Sequence, residues 1–224
     1  MKYLIVNADD FALSSGVTHG ILEAHANGIV TSASFLVDTR ASEDAALLAR
    51  CAPRMSFGLH ADVPRELTDP CAPDATDRCR IELDRQIARF ELLMGRRPTH
   101  LDSHHNLHRH PALAPVFFEV AARHQLPLRE HSAARYFSKF YGQWGGQSHL
   151  EQVAVSSLAR MLETEVGPGI TELSCHPGHP DVATGYFLER EAELRTLSDP
   201  RIREAIARLK IALVSYHDYL RLTA

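Results

Sequence analysis

The stretch THLDSHHNLHRH, residues 99 to 110, sets five histidines and one aspartate in twelve positions. Imidazole and carboxylate are ligands for a divalent cation, but they also populate solvated surface runs and helix starts, and one cluster seldom supplies a whole site. Partners must come from elsewhere in the chain. Asp9 and Asp10 close the apolar run YLIVNADD, His60 lies in FGLH, Arg129 in PLRE and His176 in SCHPG. Apolar segments that end repeatedly in Asp, His or Arg are costly unless those groups are paired or bound to metal.

The set a divalent cation favours is one carboxylate and two neutral imidazoles with positions left open: Asp10, His60 and His104. Three ligands from three segments suit a catalytic site, since structural zinc sites are closed and rich in cysteine. Asp9 could then serve as general base, with Arg129 holding it ionised and His176 protonating a departing group. If residues 99 to 105 are extended, His100, Asp102 and His104 share one face, and Asp102 could support a ligating imidazole. His105 and His108 could contact substrate. Each residue also has a plainer reading. The adjacent aspartates could cap a helix, and both reach one cavity only if their strand ends or bulges by residue 9. His60 could be a core histidine, Arg129 a surface partner of Glu130, and His176 a turn residue in CHPGHP.

These side chains need elements to carry them. The runs at residues 3 to 9, 29 to 37 and 56 to 63 predict strands buried on both faces, as in a parallel sheet. Between them LSSGVTHGILEAHANG predicts a helix capped by Ser14 or Ser15 and stopped at Gly28, and ASEDAALLARC a second helix. After the Pro-rich stretch VPRELTDPCAPDATD a helix is expected with Ile81, Leu83, Ile87, Phe90 and Leu93 on its buried face. A strand in THLDSHH, a helix in PALAPVFFEVAARHQ, a short strand in LPLRE and a helix over residues 148 to 166 follow. ITELSCHPG predicts a strand, residues 190 to 210 one or two helices, and IALVSYHDY a final strand. About seven β units alternating with helices mean an α/β fold with a parallel sheet, either an incomplete (β/α) barrel or an open doubly wound sheet. In both, functional residues gather where the strands end.

Composition narrows the function classes. The chain has 224 residues, 45% hydrophobic and 23% charged, enough to bury a core as one domain over residues 1 to 224. A net charge of −4 offers no field for nucleic acid. The four cysteines, Cys51, Cys71, Cys79 and Cys175, form no CxxC pair and read as reduced thiols of a cytoplasmic protein. No apolar run is long enough for a membrane span, and no GxGxxG or GxxxxGK[ST] follows a strand.

Taken together, NADDF, GLH, THLDSHHNLH, PLRE and ELSCHPG, in this order, resemble the YdjC-like carbohydrate deacetylases, a family that includes chitooligosaccharide and hopanoid-associated deacetylases. FYGQWGG and YFLEREAELRTLSDPRIREAI resemble the hopanoid-associated branch. The resemblance implies a distorted, incomplete (β/α) barrel of about seven parallel strands and removal of an acetyl group from an N-acetylated sugar. It implies a divalent metal on Asp10, His60 and His104, with Asp9 as base and Arg129 and His176 as orienting and acid residues. Magnesium is the metal it implies, whereas zinc suits these ligands better on softness grounds. The substrate would be a small-molecule or lipid-linked N-acetyl sugar. Ala12 stands where the family often has glycine, and the segment after His60 is short. Tyr136, Phe137, Phe140, Tyr141 and Trp144 fall in one loop that could face a sugar ring, form an oligomer contact such as a homodimer interface, or pack as a satellite core. Two other classes compete with hydrolysis: a metal-dependent sugar isomerase or aldolase, and a non-catalytic carbohydrate-binding relic.

Overall fold

The computed structural model of the protein describes residues 1–68, 74–181 and 185–224, leaving Cys71 and part of the Pro-rich stretch outside the described residues. Strand β1, Lys2–Phe11, is the hub. Apart from its first two residues it is buried throughout, because parallel neighbours flank it and helices cover the sheet. It pairs with β2, Ser32–Phe35, and with β8, Gly169–Cys175. β3, Ser56–Ala61, and β4, Leu101–Ser103, extend the sheet beyond β2, and β5, Ala134–Phe137, lies beyond β8. β9, Ile211–Leu213, joins the first residues of β1. All of these pairings are parallel, in the order β4-β3-β2-β1-β8-β5 with β9 beside β1. The sheet curls into a half-barrel. Residues Gln143–Trp144 (β6) and Gln147–Ser148 (β7) form a separate small hairpin.

Helix α1, Ser15–Asn27, starts where expected: the Ser14 hydroxyl accepts from the Val17 N–H, and Gly28 is its C-cap. α2, Ser42–Ala49, and α3, Ala75–Met94, follow. Within α3 the expected buried face holds at Leu83, Ile87 and Phe90, but Ile81 is exposed. α4, Ala114–His124, and α5, Val155–Glu165, are shorter than their periodic patterns, a 3₁₀ turn over Leu150–Val153 taking the start of the latter. The candidate pair of late helices resolves into α6, Phe187–Leu197, and α7, Pro200–Arg208, the second capped by Asp199 with Pro200 at its first turn. A short α8, Tyr219–Thr223, ends the chain.

Several β expectations change: THLDSHH is strand only over Leu101–Ser103, with His104 opening a 3₁₀ turn, and IALVSYHDY only over Ile211–Leu213. LPLRE contributes only a single bridge, Leu128 to Leu101, because the chain turns at once into the Arg129 and Glu130 backbone. The strand at the β8 edge is instead Ala134–Phe137, which reaches into the segment the sequence marks as an aromatic loop.

The decisive local feature is at the end of β1. Between Ala8 and Phe11 the chain advances three residues while β2 advances two, from Ala33 to Phe35, so one residue of β1 is extra. Asp10 takes φ 69° within this bulge. Ordinary alternation would send Asp9 and Asp10 to opposite faces; the bulge turns both carboxylates to the same mouth. Ala12 follows with φ 75°, a left-handed backbone that explains the glycine common at this position in the resembling family.

Candidate active site

A cavity of about 530 Å³ opens at the strand ends, with Asp9, Asp10, His60, His104, His105 and His176 among its lining residues. β1 delivers the two aspartates, β3 delivers His60, the end of β4 delivers His104, and the loop after β8 delivers His176. Gly58 permits this crowding: a Cβ there would lie 2.5 Å from ring atoms of His100 on the neighbouring segment.

Asp10 and the imidazoles form one cluster. Its Oδ1 lies 3.3 Å from His60 Nε2 and 3.2 Å from His104 Nδ1. Donors on one tetrahedral ion at about 2.0–2.1 Å stand roughly 3.3 Å apart, as these two pairs do, and all three donor atoms lie within 4.8 Å of one another. His60 is fixed from behind, since its Nδ1 donates to Asp102 Oδ1 at 2.7 Å and leaves Nε2 turned to the cavity. Burial works against charge on both residues, yet the neighbours win. Hydrogen bonds from His104 and His60 and the Arg190 charge hold the Asp10 carboxyl well below its usual range. The Asp102 charge, with hydrogen bonds to Asp10 and Asp102, lifts His60 to about 10. An incoming cation would replace that proton. Asp9, His60 and Asp102 also lie close enough to suggest a ligand set, but both oxygens of each of those carboxylates already accept protein hydrogen bonds. Asp10, His60 and His104 fit a divalent cation better.

Asp9 sits beside this cluster in a different setting. The Arg129 guanidinium grips it with two 2.7 Å hydrogen bonds, and Asn7 donates to Oδ1 at 2.9 Å. Arg129 is 1% exposed and far from a surface pair with Glu130, which instead binds Arg109. It also meets Asp102 at 2.7 Å and Glu172 at 2.9 Å. Burial opposes its charge, but the three carboxylates hold it well above the usual arginine range. Behind them Tyr216 donates to Glu172, and its ring stacks on His100 at 4.0 Å. Burial drives His100 down to about 3, so it is neutral and structural.

His176 Nε2 points at Asp9 Oδ2 across 3.8 Å. Too long for a hydrogen bond, this gap leaves an approach to that oxygen. Burial pushes the His176 imidazole down, so the resting ring is neutral. His105, at φ 56°, lines the cavity with its ring 3.8 Å from that of His104. His108 does not reach the cavity; it is fully buried on Ser103 Oγ at 2.7 Å, which removes it as a substrate contact.

The sequence reading missed one wall entirely. Tyr186, Arg190 and Glu193 follow each other at the four- and three-residue steps that place side chains on one helix face. Arg190 donates to Asp10 Oδ2 at 2.6 Å and to the His176 carbonyl at 3.3 Å. Glu193 accepts the His176 N–H and the Tyr186 hydroxyl, each at 2.5 Å. Burial lifts Glu193 to about 8. A polar face in a helix otherwise expected to pack on a sheet was the available signal. The aromatic segment divides: Phe137 and Phe140 are core, Tyr136 and Tyr141 line the cavity, and Trp144 lies outside it, stacked on His149. Tyr141 stacks on Tyr186 at 4.7 Å.

Comparison with known proteins gives a consistent picture. A family model described as YdjC-like protein matches residues 3–208. The chain is 35% identical to a carbohydrate deacetylase of Geobacillus stearothermophilus over 99% of both chains. It is 34% identical to a chitooligosaccharide deacetylase of Enterobacter sp. (strain 638), covering 97% of this chain and 99% of the relative. Among solved structures, a candidate cellobiose-phosphate cleavage protein of Enterococcus faecalis V583 superposes with a TM-score of 0.82 at 28% identity, covering 97% of this chain and 98% of that one. A family 4 carbohydrate esterase from Streptomyces lividans superposes with a TM-score of 0.64 at 14% identity, over 97% and 95% of the two chains, a likeness of fold alone. No helix among the described residues is long and apolar enough to cross a membrane.

Proposed function

We propose, from the premise that this chain belongs to the YdjC-like family, that it is a metal-dependent hydrolase removing the acetyl group of an N-acetylglucosamine-type sugar. The observation that carries the reading is the convergence of Asp10, His60 and His104 in a cavity where Asp9 presents a second carboxylate. A divalent cation held by those three side chains would polarise the acetyl carbonyl and acidify water beside it. Magnesium follows from the family resemblance, and two imidazoles with one carboxylate also suit zinc.

The residues of the chain divide the remaining work. Asp9 Oδ2 takes the proton of the attacking water, because Oδ1 already accepts from both Asn7 and Arg129. Arg129 fixes the plane of Asp9 with two hydrogen bonds. His176 Nε2, neutral at rest and 3.8 Å from Asp9 Oδ2, relays to the departing amine nitrogen the proton that Asp9 takes from the water. His105 and Tyr141 line the entrance and contact the sugar. The substrate is a soluble or lipid-linked N-acetyl sugar met in the cytoplasm, and exposed Trp144 is left for a homodimer contact. The deciding experiment is an acetate-release assay with added Mg²⁺ or Zn²⁺ over N-acetylglucosamine, chitooligosaccharides and lipid-linked forms. Stoichiometric acetate and free amine are expected from at least one; rearrangement or cleavage of a sugar without acetate would transfer the site to the isomerase or aldolase class.

A further inference from the structure

Arg190 is 5% exposed and donates to the one oxygen of Asp10 that does not face the imidazoles. Asp10 therefore answers to two positive partners, a guanidinium on Oδ2 and, on the reading above, a cation at Oδ1. A guanidinium does not give up its proton in a protein, so its charge persists when a cation arrives. Two effects oppose each other. The hydrogen bond orients Asp10 and favours binding; the fixed charge, one carboxylate away and shielded from water, repels the cation. Between buried charges this close, repulsion of a divalent ion outweighs one hydrogen bond.

We propose that Arg190 is a positioning residue that restricts Asp10 to one ligating oxygen and holds the site's affinity for divalent cations down, so that the metal exchanges readily. The inference rests on the proposed metal site. It assigns Arg190 a role that none of the strand-borne residues can fill, since Arg129 serves Asp9, Asp102 and Glu172. The second Arg190 N–H, on the His176 carbonyl, ties the same guanidinium to the loop that carries the proposed acid.

The test is titration of the chelator-stripped protein with Mn²⁺ and Zn²⁺ against a chromophoric competitor. Arg190→Met removes charge and donor, Arg190→Gln removes the charge and keeps an N–H donor, and Arg190→Lys keeps the charge. Both neutral variants are expected to bind at least tenfold tighter than the parent, and Arg190→Lys within threefold of it. With Co²⁺, the visible absorption of Arg190→Met should weaken as Asp10 gains a second bonding oxygen. Glu193→Gln, which touches the same loop but not Asp10, should leave affinity unchanged. Should Arg190→Met fail to fold, Arg190→Gln carries the comparison. Neutral variants that bind no more tightly than the parent would overturn the inference. A parent that binds no cation, or binds it equally well after His104→Ala, would instead sink the metal site itself.

Discussion

Asp102 and Glu193 are both fully buried carboxylic acids a short distance from the same cavity, and their protonation is pushed in opposite directions. Burial raises both. At Asp102 the neighbouring Arg129 and His60 overcome it and hold the carboxyl far below its usual range. At Glu193 the nearest donors are a backbone N–H and a phenol, and burial wins, leaving it at about 8. The strand-borne wall thus centres on ions neutralised by ions, Arg129 with Asp102, although burial raises the Glu172 carboxyl beside them. The wall from α6 mixes one arginine with groups that prefer to stay neutral, including Tyr186, whose hydroxyl burial pushes up. The cavity accordingly has one wall that fixes charges and another that fixes a loop.

The sharpest way to break this contrast is to remove a charge from the first wall without changing shape. Asp9→Asn leaves the ligand cluster intact and should lower kcat/KM by roughly 10³, within the range for a lost general base, while bound metal measured by elemental analysis stays unchanged. His104→Ala should lose both. If Asp9→Asn kept more than a tenth of the activity, Asp9 would be a partner of Arg129 and nothing more.

Arg129→Met tests the neutralisation itself. It leaves Asp9, Asp102 and Glu172 facing one another without their shared cation. Breaking such a set is expected to cost about 3–5 kcal/mol in urea unfolding. A loss under 1 kcal/mol would mean that the carboxylates simply take up protons. Asp102→Asn is milder: it weakens the support behind His60, and a loss of about 10–100-fold in metal affinity is expected.

The first wall was legible in the sequence because strands of a parallel sheet end at one mouth, so Asp10, His60 and His104 could be grouped without coordinates. The bulge that brings Asp9 to the same side was legible only as a requirement, since no residue of NADDF demands φ 69° at Asp10. Glu172 was present as a charge inside the run ITELSC, a pattern intelligible only once Arg129 is seen buried beside it. The α6 wall depends on which face of a helix meets which loop, and periodicity alone does not supply that. His108 shows the converse failure: sharing a His-rich stretch with His104 said nothing about direction, because the backbone turns through φ 56° at both His105 and Asn106 before reaching it.

A pH-dependent effect reads the second wall directly. A carboxyl raised from 4.5 to about 8 in the native protein keeps its proton there over a range in which the unfolded chain has lost it. The native state then binds more protons, so stability falls as pH rises through this window. The contribution is complete below pH 4.5 and lost above about pH 8. An amide in place of this carboxyl has no proton to lose, so Glu193→Gln should gain on the parent with rising pH, by at most about 4 kcal/mol in urea unfolding between roughly pH 5 and 8.5. Subtracting the two curves removes every other titrating group that both proteins share. A flat difference would show Glu193 ionised throughout, held by the Tyr186 hydroxyl and the His176 N–H as firmly as Asp102 is held by its cations, and the contrast between the walls would then lie in their elements alone.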